Sequence, residues 1–558
     1  MRRLLFALVV LGGLVGGNLY PLSMTAIEAN NSSNGSVYTA ASPQDGHTIR
    51  ITPWGPTQEM VDAAQTRALK HPVVRELLKG GQYRIISFQL IDPAKSGENA
   101  EPADSFKATI FDYTKNRAFV CSGRFDSSDL QVDTLLDQPD PDGPEFDAAV
   151  DILSRDPDLG PPMKAGSLRP YRPMPPLVYP EAAVGKANRT LAVGLMPRGI
   201  NYKNQIVGVD MIARKVVRFQ SNAPTAAQAS PSACGLTGAS QSTTSRGTAG
   251  QFQVSISRDG VEVWNFVVVR PSASSGTRAS AVELLNVSYH GKRLLARAHA
   301  PILNVQYDRN LCGPYRDWSY QEGSFTANGT DAAPGIRMCT SPPQTILESG
   351  TDTGNFRGVA VYDNKEEVVL VSELEAGWYR YISRWTLTDS GVIKPRFGFG
   401  ATSNSCVCNI HMHHVYWRLD FDIVTAANNG VTENTANGDK QITVEGMLPR
   451  VDPSHQTWTI YNTVSGESVV VRPGPWDGNW DKYGKGDVWV LNNHGELDDG
   501  VNCTSCGPTT AINLTPLVNG ESTNATDIVF WYGAHFNHIN GNVACGTSAG
   551  PDIEITRW

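Results

Sequence analysis

The stretch CNIHMHHVYWRLDFDI, from Cys408 to Ile423, carries three histidines within four residues and runs on into two acids. Its later part alternates as a β-strand does, and a strand sends residues i and i+2 to one face. His411 and His413 therefore project together, with His414 on the opposite face. Two imidazoles aimed one way are half of a metal site, and imidazole suits a transition metal. Asp420 and Asp422 also share a strand face, where hard carboxylate oxygens would suit a hard cation. A rival donor set is a thiolate site made by Cys406 and Cys408 and completed by His411 and His413. The redox compartment weighs against it, as follows.

The amino terminus, MRRLLFALVVLGGLVGG, is a basic start followed by a short apolar run. It reads as a signal peptide over residues 1–29, too short for a comfortable membrane span. Nothing later runs long enough to cross a bilayer. The expectation is an exported protein, extracellular or periplasmic, with no membrane partner. Nine cysteines in such a chain mean disulfides first. Cys503 and Cys506, with two residues between them, suit a tight disulfide. A formal charge of −8 and the lack of a long basic run argue against nucleic acid.

The elements that must hold these residues follow from periodicity. The 558 residues are too many for one ordinary core. TQEMVDAAQTRALKHPVVRELLKG has helical spacing up to Gly80 and Gly81, and three strand-like runs follow it. The pattern then recurs: PEFDAAVDILSRD is a helix opened by Asp142-Gly-Pro144, followed by RTLAVGLMP, QIVGVDM and KVVRF as strands. Two small α+β domains are expected, over 46–130 and 131–222. An Ala/Ser/Thr/Gly-rich linker covers 223–250. From 251 to 558 nearly every run is short and alternating, among them VEVWNFVVV, YRYISRWTL and DIVFWY. The fold class is mostly β, a large antiparallel β-sandwich preceded by two small α+β domains.

Those elements in this order, with His411-x-His413 four residues before Arg418-Leu419-Asp420-Phe421-Asp422, resemble the copper amine oxidases. The chain is identified as a divergent member. The resemblance covers roughly residue 70 to the end. It implies a third copper histidine after a Trp-Tyr pair, which DIVFWYGAHFNHI supplies as His538 after Trp531 and Tyr532. It also implies a peripheral calcium-like site at Asp420, Asp422 and Asp527, with the carbonyls of Phe421 and Ile528. His414 and His535 fall on no ligand position and are expected at the surface or behind the ligands.

The resemblance further implies a topaquinone made from a tyrosine of the chain, placed at Tyr379, and a contacting tyrosine, placed at Tyr307. Here the pattern departs from the family's. The quinone motif is Thr-x-x-Asn-Tyr-acid-Tyr, and this chain has Glu375, Trp378 and Arg380 where the motif has Thr, Asn and the acid. Arg380 is expected to stabilise an anionic ring and Trp378 to crowd it. The position of the family's catalytic Asp is Gln321, an amide that cannot take a proton at neutral pH. Glu322 is the expected substitute, with Asp317 next. The hairpin by which family dimers embrace is also missing, although a homodimer is still what the resemblance implies.

Two functions stay open. One is a secreted copper- and quinone-dependent oxidase, turning a small primary amine, dioxygen and water into aldehyde, ammonia and peroxide. The other is a non-catalytic extracellular copper-binding or structural protein on the same scaffold, without quinone or base.

Overall fold

A computed structural model describes residues 38–41, 46–91, 101–173, 177–178, 188–197, 205–218, 234–236, 250–271, 281–308, 315–317, 322–452, 455–483, 486–494, 514–538 and 548–558. The alternating runs after residue 250 form two large sheets. Nearly all their neighbouring strands are antiparallel; Ile336–Cys339 and Val359–Asp363 run parallel. At the centre of the first sheet, Lys292–Tyr307 lies beside His411–Phe421, and that strand lies beside Ile528–His538. In the second, the hairpin Glu367–Ala376 and Tyr379–Thr388 continues into Val392–Ala401. One core packs between the sheets. Trp385 of one sheet meets Trp417 of the other edge-on at 5.4 Å, and both are fully buried. Alternate positions point inward because the side-chain period of a strand is two.

Two four-stranded sheets stand apart from this sandwich, each with its own apolar cluster. Tyr83–Ile91 to Leu130–Leu135 pack with the first helices, and Leu168–Tyr171 to Lys215–Val217 pack with the helix Gly143–Leu153. That helix begins where its sequence says it should. Asp142 accepts a hydrogen bond from the Glu145 N–H at 2.7 Å, and Pro144 follows in the first turn.

Two expectations change. The run 57–81 is not one helix, because Pro72 splits it into Gln58–Lys70 and Pro72–Leu78. His71, which precedes the proline, is held at φ −58°, ψ 135°, outside the helical region as proline requires of its neighbour. Residues 48–53, read as the start of the first small domain, join the first large sheet instead, with Ile51 opposite Val254. Ile49 and Ile51 both point into the main core, and burying them there outweighs their nearness in sequence to the first helix. The signal-peptide segment, most of the linker and the Cys503–Cys506 pair lie outside the described residues. No helix among the described residues is long and apolar enough to cross a membrane.

The back of the Glu367–Ala376 and Tyr379–Thr388 hairpin carries buried charge. Arg380 makes a two-point pair with Asp352 at 2.6 and 2.8 Å, and Glu373 and Glu375 are buried on the same face. Glu373 accepts from the Ile346 N–H at 2.7 Å, yet burial still pushes its carboxyl up from 4.5 to about 8. Between those values the unfolded chain releases this proton and the folded chain keeps it. Stability should therefore fall as pH rises from about 4.5 to about 8. Glu373→Gln keeps an acceptor for Ile346 and cannot ionise. It should match the parent in urea denaturation at pH 4 and exceed it by on the order of 2–4 kcal/mol at pH 9. Equal stability at both pH values would show that Glu373 is ionised in the folded protein.

Candidate metal centre

The strands His411–Phe421 and Ile528–His538 pair without a break, from His411 opposite His538 to Phe421 opposite Ile528. Directly opposed residues share a face. His538 therefore joins His411 and His413, and all three rings are buried. Nε2 of His411 is 3.1 Å from Nδ1 of His538, and one nitrogen from each ring lies within 4.8 Å of the others. Nδ1 of His411 is 2.6 Å from the Asn409 carbonyl, which accepts a hydrogen bond from it and leaves the Nε2 lone pair facing the cluster.

His413 is the test of whether a metal fits. Its ring is fully buried, stacked on Phe399 at 4.2 Å, and neither nitrogen has a hydrogen-bond partner. An orphaned buried imidazole costs about 1–3 kcal/mol unless something binds it. Burial drives the His411 pKa down to about 3 and that of His413 well below the usual range. Both rings are neutral at physiological pH, which is the ligating form. Neutral nitrogens from His411 and His413, with the His538 ring beside them in a buried, aromatic-lined cluster, fit a transition metal, copper included.

A tight turn brings Tyr379 to this cluster. Ala376 pairs with Tyr379, so Gly377 and Trp378 form a two-residue hairpin loop. Gly377 has φ +61°, the left-handed backbone that such loops require and glycine accepts without strain. The Tyr379 hydroxyl lies 2.8 Å from Nε2 of His411 and 2.9 Å from the Tyr307 hydroxyl. Tyr307 stands directly opposite His411 in the neighbouring strand. Trp378 donates from Nε1 to the Tyr307 hydroxyl at 3.2 Å, so it braces this pair. Arg380 does not face the ring: alternation sends it to the back of the sheet and into its pair with Asp352.

The base candidates are less close. Gln321 lies outside the described residues. Asp317 pairs through its backbone with Leu303 at the end of a short strand, Tyr315–Asp317. Glu322 bridges to Leu374, which stands opposite Tyr381, so it shares Tyr379's face but lies roughly 10 Å (two strand spacings) from Tyr381. It is 1% exposed, and Arg270 takes both its oxygens at 3.0 and 2.5 Å.

The acids also converge. Asp420, Asp422 and Asp527 place an oxygen each within 4.8 Å of one another, and the Asn493 amide donates to Asp420 at 3.0 Å. Phe421 and Ile528 close the ladder beside them. The thiolate alternative is overturned: Cys408 is bonded to Cys234, and Cys406 is also in a disulfide. His414 and His535 are not surface residues. They stand opposite each other on the other face, buried, with Asp481 between them. Strand alternation placed them there, but only the register made them partners.

No protein-family model and no curated protein sequence matches the chain. Solved structures do. The lysyl oxidase of Pichia pastoris is 11% identical, at a TM-score of 0.53 over 94% of this chain and 91% of that one. A structure described as PPLO is 9% identical, at a TM-score of 0.53 over 90% of this chain and 89% of that one. A copper-containing benzylamine oxidase from Hansenula polymorpha is 10% identical over 95% of this chain and 94% of that one, with a TM-score of 0.49. The chain has the fold of the Pichia pastoris lysyl oxidase structure.

Proposed function

We propose that this protein is a secreted, copper-dependent oxidase of small primary amines, with a quinone made from Tyr379. The reaction is amine, dioxygen and water to aldehyde, ammonia and hydrogen peroxide. One observation carries the reading: the Tyr379 hydroxyl sits 2.8 Å from Nε2 of His411, the nitrogen that also faces His538. The tyrosine to be oxidised thus stands beside the nitrogens suited to copper, on a scaffold shared with amine oxidases. His411, His413 and His538 would hold the metal, which supplies one-electron chemistry with dioxygen, while the quinone supplies the carbonyl an amine condenses with. Tyr307 orients the Tyr379 ring through the hydroxyl pair, Trp378 orients Tyr307, and Asn409 fixes the His411 tautomer. Glu322 is the residue proposed to accept the substrate proton. Export is supported by the amino-terminal pattern and by the Cys234–Cys408 disulfide.

The second reading, a non-catalytic copper protein on this scaffold, is favoured by Glu322 itself. Both its oxygens are engaged by the Arg270 guanidinium, and neutralising the carboxylate would leave that buried cation without its counter-charge.

Three measurements decide. Replacing His411, His413 or His538 by Ala should remove most of the bound copper in metal analysis; full stoichiometry would place the copper elsewhere. Copper-loaded protein held under oxygen should become coloured, and the peptide containing Tyr379 should gain the mass of oxidation. An unmodified Tyr379 in fully loaded protein would select the second reading. Amine-dependent peroxide release should fall by about 10²- to 10⁴-fold in Glu322→Gln. Unchanged release would exclude Glu322 as the base and turn attention to Asp317.

A further inference from the structure

Behind the His411–His413–His538 cluster, on the opposite face of the same two strands, a second set of donors converges. His414 stands directly opposite His535 in the ladder, with their ring centroids 4.8 Å apart. Asp481 reaches both: Oδ2 is 2.7 Å from Nε2 of His414, and Oδ1 is 3.0 Å from Nδ1 of His535. One ligand atom from each of the three lies within 4.8 Å of the others. We propose that His414, Asp481 and His535 form a second site for a divalent transition cation, with zinc the best match.

His535 carries the argument. Its Nε2 lies 2.6 Å from Oδ1 of the fully buried Asp487. With the proton on Nε2, a neutral ring presents a bare lone pair at Nδ1, and that atom faces another carboxylate. The ring is 1% exposed, and Nδ1 is too far out of line with Asp481 to make a hydrogen bond. A cation must sit between two such lone pairs, either a proton on the ring or a metal. Metal bonds of about 2.1 Å leave neighbouring ligand atoms roughly 3.0–3.4 Å apart, a spacing that small side-chain rotations would give three ligand atoms already within 4.8 Å of one another. A metal would take Nε2 of His414 in place of the hydrogen bond which that atom makes to Asp481 Oδ2 at 2.7 Å.

The donor set names the class of ion. Two imidazoles and one carboxylate suit zinc or a similar borderline cation, and not calcium or magnesium, which take oxygen. Asp487 then plays the outer carboxylate that orients a ligating histidine, and its other oxygen accepts the Arg450 backbone N–H at 3.0 Å. Tyr483 stacks on the His414 ring at 4.2 Å and holds it in place. The Asp481 side chain is 24% exposed, which gives the ion a route in from solvent. This site does not depend on the amine oxidase reading.

The test separates it from the first cluster. The full chain carrying His411→Ala and His413→Ala, stripped with chelator and loaded with zinc, should bind one equivalent. X-ray absorption at the zinc edge should show two imidazoles and oxygen ligands. Adding Asp481→Asn should abolish that equivalent. In the otherwise unaltered chain, Asp481→Asn alone should lower zinc uptake by one equivalent and leave copper binding in place, which covers the case that the double variant does not fold. The proposal is overturned if Asp481→Asn leaves zinc uptake unchanged. It is equally overturned if the folded double variant takes up none and nitrogen NMR shows His535 protonated at both nitrogens.

Discussion

The unbroken pairing of His411–Phe421 with Ile528–His538 is the constraint on which the rest of the site depends. His411 and His413 meet His538, 127 positions after His411, because His411 stands opposite it. A slip of one residue along either strand would turn an entire face over. It would set Asn537 opposite His411 and remove the third nitrogen. The same register sets His414 opposite His535 on the other face and brings Asp420, Asp422 and Asp527 together at the far end. A single ladder thus organises three clusters, because all three draw on one register.

The second sheet brings the Tyr379 hydroxyl to this centre, and the turn before it decides that placement. Gly377 and Trp378 close the hairpin in two residues, so Tyr379 is the first residue of its strand and points inward. Arg380 then has to point away, and it finds Asp352 in a second, smaller apolar layer. Placing Tyr379 within 2.8 Å of a histidine of the first sheet requires the two sheets to be held at a fixed spacing. Core pairs such as Trp385 against Trp417 supply that rigidity, because close-packed interiors do not deform continuously.

Burial gives the two kinds of charged group opposite fates. His411 and His413 lose their charge, since burial removes the water that would stabilise an imidazolium. The arginines cannot lose theirs and are paired instead. Arg380 with Asp352, Arg270 with Glu322, and Arg189 with Glu145 are each two-point contacts with almost no exposure. Removing one partner from such a pair costs about 3–5 kcal/mol, because the other is left buried and unpaired. Glu322 is therefore held in place by stability as much as by any role in chemistry.

The sequence by itself determined what is local. Alternation in HMHHVYWRLDFDI assigned a strand and sorted His411 and His413 from His414. Capping by Asp142 marked a helix start, and the turn residues after position 250 marked a β-rich region. These follow from period and propensity, which act over a few residues. Pro72 was equally legible as a helix break, but the apolar spacing on both sides of it favoured continuity. Tertiary structure alone decided the rest. It sent Ile49 and Ile51 to the main core, bonded Cys408 to Cys234 across 174 positions, paired Arg380 with Asp352, and locked Glu322 onto Arg270. It also made His414 and His535 partners of Asp481. Each of these depends on which distant strand lies alongside, and that is settled by burying the whole apolar surface at once and not by any short stretch of chain.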